Sequence, residues 1–233
     1  MTSPKADDHP PDMPPPLRIA VLASGRGSNL KALIAARDAG ALPVEFAAAG
    51  SDRADADALR LARDAGIPAF ALDPKAYASR RDFDRELFRR LDATGAGLLV
   101  LAGFMRVLDG EALKPWVGRT INIHPSLLPK YRGLHTHRRA LAAGDAEHGA
   151  SVHYVTAELD GGPVIAQARI AVRPDDDEHS LAQRLLAEEH RLLPAVVALI
   201  AQGRLAYLAP DGAALDGRRL AAPLQLRDGA LAP

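Results

Sequence analysis

Apolar positions along this chain fall into short unbroken runs and helical stripes that follow one another in turn. Leu17–Ala23 (LRIAVLA) is nearly all apolar, as a strand buried on both faces would be. Ser24–Ser28 (SGRGS) is a glycine-rich turn, and Asn29–Ala39 then carries a helical stripe stopped by Gly40. Val44–Ala49 predicts a second strand, Ala54–Ala65 a helix stopped by Gly66, and Ser79–Asp92 a third helix with Arg and Asp/Glu at i,i+4 spacing. Leu98–Ala102 (LLVLA) predicts a further strand closed by Gly103. Thr120–His124 (TINIH) alternates up to Pro125.

The second half reads differently. A helix is expected over His135–Ala143, and strands over Ser151–Val155 and Val164–Val172, joined by the turn Glu158–Pro163 (ELDGGP). A last helix is expected to start near Ser180, where Ser180 and Gln183 have capping-box spacing. Leu181, Leu185, Leu192, Val196 and Ile200 extend its apolar stripe. Strands alternating with helices predict an α/β fold, with a mostly parallel central sheet flanked by helices in a single domain. Ligands of such sheets bind beyond the carboxyl ends of the strands, which directs attention to the loops after Ala23, Ala102 and Ile123.

Composition narrows the function classes. The chain has 233 residues, 48% hydrophobic, which is enough for one sizeable core. With 29 basic and 29 acidic residues its formal net charge is zero, so no dominant nucleic-acid surface is indicated. The absence of cysteine excludes disulfides, thiolate metal sites and a Cys nucleophile. Residues 1–16 are Pro-rich and lack the basic start and apolar run of a secretory signal, so a disordered leader is expected. The most apolar stretch, Leu192–Ala201, is too short to span a bilayer. The expected address is the cytoplasm, with no membrane or nucleic-acid partner. The domain is placed at 17–220, and 221–233 is read as a weakly patterned C-terminal tail.

Several residue groups carry candidate chemistry. Gly25, Gly27, Ser28 and Asn29 lie between a strand and a helix, where free N–H groups suit a phosphate. A tight turn with a capped helix would look the same. Leu30 stands where a dinucleotide fingerprint needs its third glycine. Asn122 and His124 share a face of one strand that ends at Pro125. His suits acid–base work near neutral pH and Asn can donate to a developing oxyanion, although a strand-end His can equally cap backbone groups. Asp160 is either a turn former in LDGGP or an acid that orients His124 and favours its charged form. His135, His137, His148 and His153 lack the Glu partner of a zinc hydrolase helix, and no metal is expected. The acidic run Asp175–Glu178 reads as a solvated loop before a helix start.

Five segments taken together carry a resemblance: SGRGSNL (24–30), LAGFMRVL (101–108), NIHPSLLPKYRGLHTHRRAL (122–141), HGASVHYVTAELDGGPVIAQ (148–167) and EEH (188–190). In order and spacing, from about Leu17 to about Leu220, the chain resembles the folate-dependent phosphoribosylglycinamide formyltransferase family. The resemblance implies a Rossmann-like formyltransferase fold. It also implies transfer of the formyl group of 10-formyltetrahydrofolate, as co-substrate, to the amine of 5-phosphoribosylglycinamide in purine synthesis. The transfer would be by direct attack through a tetrahedral intermediate.

By the same resemblance Asn122, His124 and Asp160 are catalytic. Gly27, Ser28, Asn29 and Glu189 bind the ribonucleotide. Arg80, Met105, Arg106, Val107 and Leu108, with Asn122, bind the folate, and Arg106 pairs with its glutamate tail. A monomer or homodimer acting on small molecules is implied. Three positions depart from the family pattern. Arg26 replaces a smaller polar residue, Leu186 replaces a Lys found in some members, and Arg132 in KYRG stands where many members have Pro. Formyltetrahydrofolate hydrolase and methionyl-tRNA formyltransferase are alternatives of the same superfamily. The first would need an N-terminal regulatory domain and the second a C-terminal barrel, for which this sequence has no room. A non-catalytic nucleotide-binding module would not need the intact Asn122, His124 and Asp160 set.

Overall fold

The computed structural model of the chain describes residues 15–233, so the expected leader lies almost wholly outside the described residues. Strands β1 (Leu17–Leu22), β2 (Val44–Ser51), β3 (Ala69–Ala71), β4 (Leu98–Leu101) and β5 (Thr120–His124) pair in parallel in the order β3-β2-β1-β4-β5. Four of them, β1, β2, β4 and β5, are apolar segments expected from the sequence; β3, three half-buried residues, was not expected. Side chains alternate across the sheet: Ile19 and Val21 enter the core on one face, Ala20 and Leu22 the core on the other. The first face is covered by α1 (Ser28–Asp38), α2 (Asp57–Asp64) and the long α6 (Glu178–Ala201). The second is covered by α3 (Arg80–Ala93) and the short α4 (Gly110–Leu113). On α3, Phe83, Leu87 and Leu91 are almost fully buried, each contributing about 1.5–3 kcal/mol of burial.

Chain order reverses between β1 and β4, which opens a crevice at their carboxyl ends. Beyond β5 the sheet turns antiparallel through β6 (Glu147–Tyr154) and β7 (Val164–Ala171). The short α5 (Thr136–Ala142) lies between β5 and β6. The two antiparallel pairings place β6 so that His153 stands directly opposite Asn122.

Three differences from the sequence expectations have local causes. Helix α6 begins before Ser180: Asp177 is its N-cap, its carboxylate accepting from the Ser180 N–H at 2.7 Å, while Ser180 Oγ accepts from the Asp177 N–H at 3.0 Å. The capping box is therefore Asp177 and Ser180, and the acidic run leads into the helix as expected, with only Glu178 inside it. Strand β6 begins at Glu147, four residues ahead of the expected start, because Gly149 passes against β7 where an added Cβ would lie 2.2 Å from the Ala168 oxygen. Finally, residues 205–219 form a small antiparallel sheet of β8 (Leu205–Leu208), β9 (Gly212–Leu215) and β10 (Arg218–Arg219). The segment 221–233 carries β11 (Leu224–Arg227), parallel to β7, and β12 (Ala230–Ala232). Leu224 is fully buried in the core, so residues 221–233 extend the sheet. Among the described residues no helix is long and apolar enough to cross a membrane.

Candidate active site

The three loops at the crevice supply one wall each. After β1, Gly27 takes a left-handed conformation (φ 71°), and a Cβ there would lie 2.7 Å from that of Ala58, so only glycine fits. It is the N-cap of α1 and has no side chain to offer. The first helical bond runs from the Lys31 N–H to the Gly27 oxygen, which leaves the N–H groups of Ser28, Asn29 and Leu30 without intrahelical acceptors. Asn29 is buried, and its Nδ2 donates to Glu189 Oε2 on α6 at 2.8 Å. Burial pushes the Glu189 carboxyl up, and the Asn29 bond works against this. Asn29 Oδ1 is buried with no partner in the protein. Two of the polar side chains expected to hold a ribonucleotide are thus joined across 160 residues of sequence.

After β4, the Met105 N–H donates to Ser24 Oγ at 2.9 Å, which fastens this loop to the first one. Met105 and Val107 are exposed at 69% and 46%, an apolar display that gains nothing in water. Leu108 is buried, so only its backbone can face a ligand. The Arg106 guanidinium stacks on the Phe83 ring at 4.6 Å, and its Nε is buried without an acceptor. Arg80 opens α3 and is exposed. It acts on the Asp84 and Asp109 carboxylates. The three residues expected to be catalytic form a cluster of their own.

That cluster sits at the end of β5. His124 is 6% exposed. Its Nε2–H donates to the Tyr131 carbonyl at 2.9 Å, while Nδ1 lies 3.5 Å from Asp160 Oδ2. Both ring nitrogens thus face oxygen acceptors. Asp160 Oδ2 also accepts from the Gly133 N–H at 2.8 Å, so one carboxylate organises His124 and the loop after it. Asp160, Tyr131 and His135 all have positive φ (46°, 57° and 59°). Each non-glycine residue held this way costs roughly 1–2 kcal/mol, and the cost gathers on the two loops that enclose His124. Arg132 and Glu158 form an ion pair that bridges those loops.

His153 is a site residue that motif reading missed. Its Nδ1 lies 2.9 Å from the Tyr154 carbonyl and must donate to it, which leaves Nε2 as an acceptor for Asn122 Nδ2 at 3.1 Å. Burial pushes His153 down to about 4, which keeps the ring neutral and the Asn122 amide oriented. The available signal was the register of β6 against β5, which puts the two residues opposite each other. His137 and His148, two further members of the histidine group, are hydrogen-bonded to each other at 3.1 Å, with burial pushing His148 down to about 4.

These two depressed histidines set a pH dependence. In the unfolded chain they take up protons near pH 6.5, whereas the native chain resists until about 4. Their contribution to stability is therefore full above pH 6.5 and is lost as pH falls toward 4, with a slope of up to about 1.4 kcal/mol per pH unit for each histidine. Urea unfolding between pH 7 and 4 should show this slope, and His148→Gln should flatten it. An unchanged slope in that variant would remove His148 from the effect.

An α/β sheet that brings an Asn, a His and an Asp together beside its switch point, with an anion-ready helix start and an apolar loop near by, has the architecture of a group-transfer enzyme. The sequence model described as formyl transferase matches residues 17–197, and the chain belongs to that family, in its phosphoribosylglycinamide formyltransferase branch. It is 48% identical over 204 residues to the phosphoribosylglycinamide formyltransferase of Escherichia coli (strain K12), covering 88% of this chain and 96% of that one. Its similarity to the human trifunctional purine biosynthetic protein adenosine-3 is 37% over 186 residues, which is 80% of this chain and 18% of the human protein. Among solved structures, the Coxiella burnetii phosphoribosylglycinamide formyltransferase in complex with CHES superposes with a TM-score of 0.85 at 49% identity, covering 88% of this chain and 96% of that one. The expected fold class and family are both borne out.

Proposed function

We propose that this chain transfers a formyl group from 10-formyltetrahydrofolate to the amine of 5-phosphoribosylglycinamide. The observation that carries the reading is the meeting of Asn122, His124 and Asp160 between two differently built walls. On one side are the free N–H groups of α1 and the Asn29–Glu189 pair, suited to a phosphate and to ribose hydroxyls. On the other is the Met105–Leu108 segment, with exposed apolar side chains for a flat heterocycle and an Arg106 nitrogen without an acceptor.

The folate, when bound, supplies a formyl carbon on N10 that an amine can attack. His124, held by Asp160 and Tyr131, stabilises the negative charge that develops on the formyl oxygen. Asn122, oriented by neutral His153, donates to the same oxygen. A new C–N bond forms to the glycine amine and the bond to N10 breaks. His124 helps carry the proton that leaves the amine to the departing N10, and its buried position keeps competing water away. No covalent enzyme intermediate is needed.

The test is an absorbance assay of folate deformylation with purified protein, run with and without 5-phosphoribosylglycinamide. Release that requires the ribonucleotide is expected. Release without it would indicate the hydrolase reaction, and no release in either case would reject formyl transfer to this acceptor.

A further inference from the structure

The buried face of α3 contains one residue that a hydrophobic core does not explain. Phe83, Leu87 and Leu91 form its apolar stripe, and beside them Asp84 is 0% exposed. An acid in that position is costly unless something holds it. Asp84 Oδ2 accepts from the Asp109 N–H at 2.7 Å, at the end of the Met105–Leu108 segment. Its Oδ1 is buried with no hydrogen-bond partner, and so is Arg106 Nε. Burial raises the Asp84 carboxyl, while the Asp109 N–H, Arg106 and then Arg80 act to keep it ionised. The other arginines of the helix are paired on the surface: Arg81 with Asp109, Arg85 with Asp82, and Arg89 and Arg90 with Glu86. Arg80 has no such pair among the described residues. Asp109 in turn caps α4, its Oδ1 accepting from the N–H groups of Glu111 and Ala112.

We propose that Asp84 is a positioning residue for the folate co-substrate. Its buried carboxylate fastens the end of the Met105–Leu108 segment through the Asp109 N–H and provides the counter-charge that holds the Arg106 and Arg80 guanidiniums ready for the glutamate carboxylates. Neither arginine is neutralised, because neither guanidinium is within ion-pair distance of the Asp84 carboxylate. Both keep donors for an incoming dianion. This inference rests on the proposed folate site and adds to it a residue that never touches the ligand.

The test uses Asp84→Asn and Asp84→Ser, with thermal unfolding to establish which variants are folded; either one serves. Asn can still accept from the Asp109 N–H but lacks the charge, and Ser removes the charge with a smaller side chain. A rise of about tenfold in KM for 10-formyltetrahydrofolate is expected, with KM for the ribonucleotide and kcat within about twofold. With 10-formyltetrahydropteroate, which lacks the glutamate, the variant and the parent should differ by less than about twofold. An equal rise in both KM values, a fall in kcat alone, or a change that persists without the glutamate would overturn the proposal. Arg106→Ala separates the two readings. If it leaves the folate KM unchanged, the folate site itself is misplaced. If it raises that KM while the Asp84 variants do not, only the role of Asp84 fails.

Discussion

Replacing His124 by alanine should lower kcat for formyl transfer by at least about 10³-fold while changing either KM by less than about fivefold. Two contributions disappear together. Removing a preorganised donor to a developing oxyanion typically costs ~10²–10³, and losing the proton carrier costs ~10²–10⁴. Both act through one ring, so the losses do not simply multiply. The fold should persist, because the apolar cores on either face of the sheet do not include this side chain. Its loss does leave the Tyr131 carbonyl and Asp160 without their partner, a destabilisation of about 1–3 kcal/mol. Steady-state rates should therefore be compared well below the unfolding temperature of the variant. A kcat within tenfold of the parent would remove His124 from the reaction.

The second large effect is expected from Asp160→Asn, about 10²–10³-fold in kcat. The amide can still accept from the Gly133 N–H, so the loop bond at 2.8 Å survives. What it loses is the negative charge beside His124 Nδ1. Asp160→Ala would lose the loop bond as well, and Asp160 is already held at a positive φ. If the two substitutions cost the same in kcat, the charge is the essential feature. If Asn is nearly harmless and Ala is not, the role of Asp160 is to shape the loop, and its electrostatic assignment fails.

Most of the parallel half of the sheet was legible because β1, β2, β4 and β5 are short and largely buried apolar runs, whereas the three half-buried residues of β3 left no such run. Thr120–His124 was expected and is β5 without adjustment. The parts that were not legible depend on partners distant in sequence. His153 looks like one of several scattered histidines until β6 is laid antiparallel to β5. Asp84 reads as one more acid on a charged helix, since nothing local reveals that it points inward. Leu224 falls in a stretch too short and too polar to predict a strand, and only the unpaired edge of β7 makes it one. The start of α6 was misplaced because Ser180 fits either end of a capping box, and Asp177 is the stronger cap.

The bond between Asn29 and Glu189 has a bearing on biogenesis. Asn29 is made early in translation, and the helix bearing Glu189 is made near the end. The pocket proposed for the acceptor nucleotide is therefore incomplete on a nascent chain that already contains β1 to β5. A ribosome-bound intermediate would hold Asn122 and His124 yet lack the acid proposed for the sugar. The proposed acceptor site gains Glu189 only as α6 settles against α1.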